Sequence, residues 1–142
     1  MAKLPKEVME VFNDPGSAKV LATAGSTSLE VNAVPKGSLR AVNEEVIALC
    51  EEVIAFADIF GDKTNKNLQL NKKVSALAFR MNPVSGYQVK GTFLGFQTSG
   101  ELFVRFSTEI KERMKLDIKA VGTIRVDEVY AVAPPEPGKK FA

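Results

Sequence analysis

The stretch FGDKTNKNL, residues 60–68, separates two apolar, strand-like runs, VIALCEEVIAFA (46–57) and KKVSALAFRM (72–81). Lys63 and Thr64 stand where the chain turns into a short helix, NKNLQLN (65–71). If that helix begins near Asn65, Thr64 is a natural N-cap. A helix N-terminus presents unpaired backbone N–H groups and the positive end of the dipole. With Lys63 added, the stretch suits a phosphate monoester. The same residues also make an ordinary capped, solvated turn, so the stretch alone leaves both readings open.

Working outward, the pattern is mostly β. Residues 4–12, LPKEVMEVF, set Leu4, Val8, Val11 and Phe12 on one helical face. Pro5 fits a first turn, and NDPG (13–16) ends the helix. AKVLATA (18–24) reads as a strand, GSTS (25–28) as a turn, and LEVNAVPKGSLRAV (29–42) as an extended run kinked at Pro35 and Gly37. NEE (43–45) turns the chain into the 46–57 strand. After the 72–81 strand, NPVSG (82–86) reads as a turn. YQVKGTFLGFQ (87–97) is a long strand whose interior Gly91 and Gly95 mark bends or close backbone approach. Thr98 and Glu101 have capping-box spacing. The helix ELFVRFSTEIKERMKL (101–116) sets Leu102, Phe103, Phe106, Ile110 and Met114 near one face. AVGTIRVDEVYAVA (120–133) is the last strand, and PPEPGKKFA (134–142) reads as a flexible tail. Short strands without βαβ alternation predict a mainly β (α+β) antiparallel barrel or sandwich with peripheral helices. The domain is expected over residues 1–133.

Composition narrows the chemistry. With 142 residues the chain can bury the core of one domain. A net charge of +2 is too small to argue for nucleic acid or an anionic membrane surface. No apolar stretch is long enough to span a bilayer. The N-terminus MAKLPKEVME has charges but no apolar signal core, so a cytoplasmic protein is expected. The chain has no histidine and one cysteine, Cys50. Ser-His and Cys-His pairs are therefore impossible. Neither a histidine-dependent zinc site nor a multi-thiolate site can form. Cys50 lies in an apolar run without an activating cation and reads as core. Turn chemistry accounts for Asp58 and Asp62. No side chain is singled out as catalytic or as a metal ligand, so redox chemistry would need a borrowed cofactor.

Three segments, LEVNAVPKGSL (29–39), VIAFADIFGDKTNKNL (53–68) and YQVKGTFLGF (87–96), occur in an order that resembles the FMN-binding split β-barrel family. That family includes pyridoxamine phosphate oxidase and small FMN-binding proteins, and the resemblance spans about residues 5–132. It implies an antiparallel split β-barrel with FMN as cofactor. It also implies a homodimer with flavin sites at the subunit interface and a small-molecule or protein redox partner. Lys63 and Thr64 match the pair that holds the FMN phosphate, Asn67 matches the asparagine that leads into the following helix, and all three are expected at the cofactor site. The isoalloxazine ring is expected against Asn32, Ala33, Val34, Pro35, Lys36 and Gly37, and against Ala55, Phe56, Ala57 and Asp58. Gln88 and Lys90, which share one strand face with Thr92, are expected to reach the cofactor of a partner subunit, with Arg80 a weaker candidate. The tail departs from true pyridoxamine phosphate oxidases, which carry a basic C-terminal segment with Arg and His. A flavin reductase-like or electron-transfer role is therefore expected. The alternatives are a deazaflavin-binding relative and a non-enzymatic β-barrel module for single-stranded nucleic acid. The latter is disfavoured by the near-neutral charge and by the lack of aromatic residues interleaved with basic ones.

Overall fold

The computed structural model describes residues 3–25, 31–36, 39–52, 67, 69–114 and 118–141. Helix α1 (Lys6–Asn13) leads into strands β1 (Ala18–Ala24), β2 (Val31–Pro35), β3 (Arg40–Ala41) and β4 (Val46–Glu52). Strands β5 (Lys73–Met81) and β6 (Val84–Gln97), helix α2 (Glu101–Met114) and strand β7 (Ile118–Ala131) follow. The seven strands form one sheet in the order β2-β1-β5-β6-β7-β4-β3, and each neighbouring pair is antiparallel.

Alternation along the strands sorts the side chains onto two faces. Leu21, Val74, Ala76, Ala78, Val89, Phe93, Ile124 and Val129 point inward. Leu4, Val8, Val11 and Phe12 of the α1 region close over them as the helical stripe predicts. Asn13 fastens the end of that helix. Its amide donates to the Ala41 carbonyl at 3.2 Å and accepts from the Ala41 N–H at 2.8 Å. A second apolar cluster joins Phe106 of α2 to Ala48, Ile118 and Val121, with Leu102 and Phe103 partly buried beside it. Among the described residues no helix is long and apolar enough to cross a membrane.

The 29–42 run breaks at the expected kink: β2 ends at Pro35, the Lys36 N–H still donates to the Lys19 carbonyl, and β3 resumes at Arg40. Other local expectations need revision. Val84 already pairs with Met81, so the turn before β6 is only Asn82-Pro83, and β6 begins three residues earlier than NPVSG suggests. The first turn of α2 is set by Gly100, whose carbonyl accepts from the Val104 N–H, so the Thr98–Glu101 box does not form. The C-terminal segment, expected as a flexible tail, makes contacts with the sheet. Lys140 bridges Tyr130 of β7, the Phe141 N–H donates to the Val129 carbonyl at 2.8 Å, and the Phe141 ring meets Tyr87 edge-on at 5.7 Å.

Candidate functional site

The sheet face opposite α1 carries the site. Register places Ala33, Ala22, Ser75, Lys90 and Glu128 in one row across β2, β1, β5, β6 and β7. Pro35, Val20, Leu77, Gln88 and Tyr130 make the next row, and Lys73, Thr92 and Arg125 lie on the other side of the first. The face is therefore graded. One end is charged. The other carries exposed Phe79, Met81, Val84 and Val132.

Among the described residues, concave regions run along it. At the charged end a groove of about 530 Å³ is lined by Ala22, Ala24, Val31, Ser75, Lys73, Lys90, Arg125 and Asp127, among others. At the apolar end a groove of about 520 Å³ includes Val20, Leu77, Phe79, Met81 and Val84. Between them a hollow of about 340 Å³ lies against Gln88, Lys90, Tyr130 and the C-terminal turn at Pro137 and Gly138. The larger volumes fall within the roughly 300–1,000 Å³ of ordinary small-molecule sites.

Polar contacts fix the side chains of this face. Gln88 Nε2 donates to Ser75 Oγ at 2.7 Å. Lys90 Nζ stands 5.2 Å from the centre of the Tyr130 ring. The Tyr130 hydroxyl donates to Glu128 Oε1 at 2.9 Å, and Lys140 Nζ is 3.5 Å from the same oxygen. The hydrogen bond from Tyr130, aided by Lys140, holds the Glu128 carboxyl below its usual range, and the same bond raises the tyrosine. At the charged end, Thr92 Oγ1 donates to Asp127 Oδ2 at 2.6 Å and Arg125 Nε donates to Asp127 Oδ1 at 3.0 Å. Burial alone would raise the Asp127 carboxyl, but those two hydrogen bonds together with the Arg125 and Lys73 charges outweigh it and hold it low.

The expected site residues divide by strand parity. Ala33 and Pro35 share the grooved face with Gln88 and Lys90, but β1 and β5 intervene. At about 4.8 Å per strand, β2 and β6 lie roughly 14 Å apart. That span suits a ligand lying across the sheet better than one gripped between them. Asn32 and Val34 point to the opposite face, where Val34 packs against the core. Lys36 continues the β2 pairing, its N–H donating to the Lys19 carbonyl at 2.9 Å. Asn67 Nδ2 donates to Thr23 Oγ1 at 3.1 Å, and Asn71 Nδ2 to the Ala24 carbonyl at 3.2 Å. The helical residues after the Lys-Thr stretch are thus moored to the end of β1. Gly37, Ala55, Phe56, Ala57, Asp58, Lys63 and Thr64 lie outside the described residues.

Arg80, the weaker candidate, lines the apolar groove and is tied within the chain. Its guanidinium donates to Asp14 Oδ2 at 2.7 Å and to Ser85 Oγ at 3.1 Å, away from the charged groove. The Gly16 N–H and Arg80 together hold the Asp14 carboxyl below its ordinary value. Sequence reasoning missed Lys73, Arg125, Asp127 and Tyr130. Their only linear signal is their place in the apolar-polar pattern of the 72–81 and 120–133 strands. Among the described residues no group of three or more His, Cys, Asp or Glu could hold a metal ion.

The residues present fit a flavin nucleotide. Ala22, Ala24, Ala33 and Ser75 make a low floor for a flat ring, and three cations border it for a phosphate.

No protein-family model matches the chain, and no curated protein matches its sequence. Solved structures do match in fold. An FMN-binding protein from Syntrophomonas wolfei aligns with TM-score 0.75 at 16% identity, over 92% of this chain and 87% of that one. HupZ from Group A Streptococcus aligns with TM-score 0.74 at 21% identity, over 96% and 99%. HutZ, a heme storage protein from Vibrio cholerae, aligns with TM-score 0.61 at 14% identity, over 91% and 94%. The antiparallel sheet, its peripheral helices and these matches together make this chain a split β-barrel.

Proposed function

We propose that the charged groove holds FMN and that the protein works in the cytoplasm as a flavin-dependent oxidoreductase or electron carrier. The observation that carries this is the graded face: a floor of small side chains from β1, β2 and β5 bordered by Lys73, Lys90 and Arg125. The ring would lie across Ala22, Ala33 and Ser75. By the family resemblance, Lys63 and Thr64 would take the phosphate. A bound flavin supplies hydride or single-electron chemistry itself, and the chain orients it and tunes its surroundings. The protein's own part is then binding and water exclusion, which requires no histidine. The same lack of histidine weighs against heme, the ligand in HutZ's name, because histidine is a leading axial ligand to heme iron.

The test begins with the purified protein's absorption spectrum and the mass of any released cofactor. FMN is expected. Stripped protein titrated with FMN should quench flavin fluorescence saturably in the micromolar range. A heme spectrum, a deazaflavin mass or unsaturable titration would reject the reading.

A homodimer completes the proposal. Phe79, Met81, Val84 and Val132 are 38–74% exposed and lie on the same face as the groove. Monomers rarely expose a large contiguous apolar patch, and a two-fold contact lets one such patch cover itself. The second copy would also roof a flavin that a 15.4 kDa barrel has little surface to enclose. Light scattering should give twice the chain mass, and Val84→Asp should shift it toward one chain. An unmodified protein that is monomeric with FMN bound would contradict the dimer.

A further inference from the structure

The charged end of the groove holds a feature that FMN recognition by Lys63 and Thr64 does not use. Arg125, Thr92 and Asp127 close a ring. Thr92 Oγ1 donates to Asp127 Oδ2 at 2.6 Å, Arg125 Nε donates to Asp127 Oδ1 at 3.0 Å, and Arg125 Nη2 donates to Thr92 Oγ1 at 3.4 Å. Of the five N–H donors of a guanidinium, these contacts engage two on one edge. The ring forms where β7 bulges: Lys90 pairs with Glu128 and Gly91 with Val126, so Asp127 is the extra residue. Bulges re-aim side chains, and this one turns Asp127 toward its neighbours Arg125 and Thr92.

Lys73 stands beside this ring, since β5 pairs Lys73 with Thr92 and β6 pairs Thr92 with Arg125. Among the described residues neither Lys73 nor Lys90 makes a salt bridge. The groove thus has three cations, Lys73, Lys90 and Arg125, against Asp127 and Glu128. Glu128 is further balanced by Lys140 from the C-terminal segment. A surplus of positive charge remains, with an arginine held by one edge on the wall of a 530 Å³ groove. Arginine fixed in this way matches the fork of oxygens on a phosphate.

We propose that Arg125 and Lys73 form a phosphate subsite and that Thr92 and Asp127 are its positioning residues. The subsite is read from the groove's own side chains and stands whether or not the groove takes a flavin. Its phosphate has two possible sources with the same chemistry: the flavin itself or a phosphorylated substrate.

The experiment titrates inorganic phosphate against the protein by ³¹P NMR, with and without FMN, and then titrates FMN and riboflavin. Phosphate should bind saturably, and Arg125→Gln and Lys73→Gln should each weaken it about 10- to 150-fold. Both side chains are partly or largely exposed, so the variants should fold. Thr92→Val should weaken phosphate roughly two- to tenfold, and Thr92→Ser should restore it. That rescue would not follow from packing alone. If the flavin supplies the phosphate, Arg125→Gln also weakens FMN but not riboflavin, and FMN-loaded protein no longer takes inorganic phosphate. If a substrate supplies it, Arg125→Gln changes FMN and riboflavin affinity alike and FMN-loaded protein still takes inorganic phosphate. Arg125-dependent phosphate binding without any flavin binding would sink the flavin reading and keep the subsite. No phosphate binding, or binding indifferent to both Arg125→Gln and Lys73→Gln, overturns the subsite.

Discussion

Alanine at Gly91 should destabilise the protein by about 1–3 kcal/mol, the usual cost of forcing a methyl group into a packed site. A Cβ there would stand 2.5 Å from Ile124 Cγ2 and 2.6 Å from the Arg125 carbonyl oxygen. Ile124 is fully buried and the oxygen belongs to the paired strand, so neither can retreat cheaply. In urea, with a slope of about 1–3 kcal/mol per molar, the midpoint should fall by roughly 1 M at unchanged slope. A midpoint within experimental error of the parent would mean that β6 and β7 do not approach as described. Because the crowded oxygen belongs to Arg125, the variant should also weaken phosphate at the proposed subsite. Glycine is therefore needed here for close strand approach beside the bulge, and through it for the placement of a charged side chain.

Lys63→Ala should weaken FMN about 10- to 150-fold and leave riboflavin almost untouched. The factor follows from losing a hydrogen bond to a charged group, roughly 1.5–3 kcal/mol, at about 1.4 kcal/mol per decade. Riboflavin lacks the phosphate, so only a phosphate contact separates the two ligands. Added salt should shrink the difference if the site is exposed. A plain capped turn forecasts otherwise: Thr64→Ala would cost about 1 kcal/mol of stability, and Lys63→Ala would leave both ligands alone. Equal losses for FMN and riboflavin would show that the lysine does not meet the phosphate. Paired with Arg125→Gln, the variant also tells whether one phosphate is shared between two cationic groups.

Where a residue's environment is set by its near neighbours, the sequence was readable. β1 occupies Ala18–Ala24 as its alternation and bounding turns predict. The α1 stripe of Val8, Val11 and Phe12 is buried at the expected spacing. Interior Gly91 was readable as a close approach because few other reasons place glycine within a strand. The errors share a cause. NPVSG is rich in turn formers, yet Val84 and Ser85 are held in β6 by pairing with Met81 and Arg80. PPEPGKKFA has the composition of a loose end, yet Phe141 finds Tyr87 more than fifty positions away. The site shows this most clearly. Lys73, Thr92 and Arg125 are scattered in the chain and become neighbours only through strand register. The bulge that presents Asp127 shows in VDEV (126–129) only as one break in the alternation, two polar residues standing between the buried Val126 and Val129. Gln88 and Lys90 were accessible because both lie on one strand, where parity alone puts them together.

The strand order also bears on how a chain leaving the ribosome acquires this structure. Among the described residues β4 is bonded to the rest of the sheet through β7, apart from the two-residue strand β3. Residues 46–52 leave the ribosome well before their partners at 118–125. Until then β4 is an open edge carrying buried-type residues such as Ile47 and Ala48, the kind of edge that recruits other chains. Closure waits on contacts distant in sequence, which slows folding. A nascent chain halted before Ile118 should therefore be sticky, and the emergence of β7 should be the event that covers this edge.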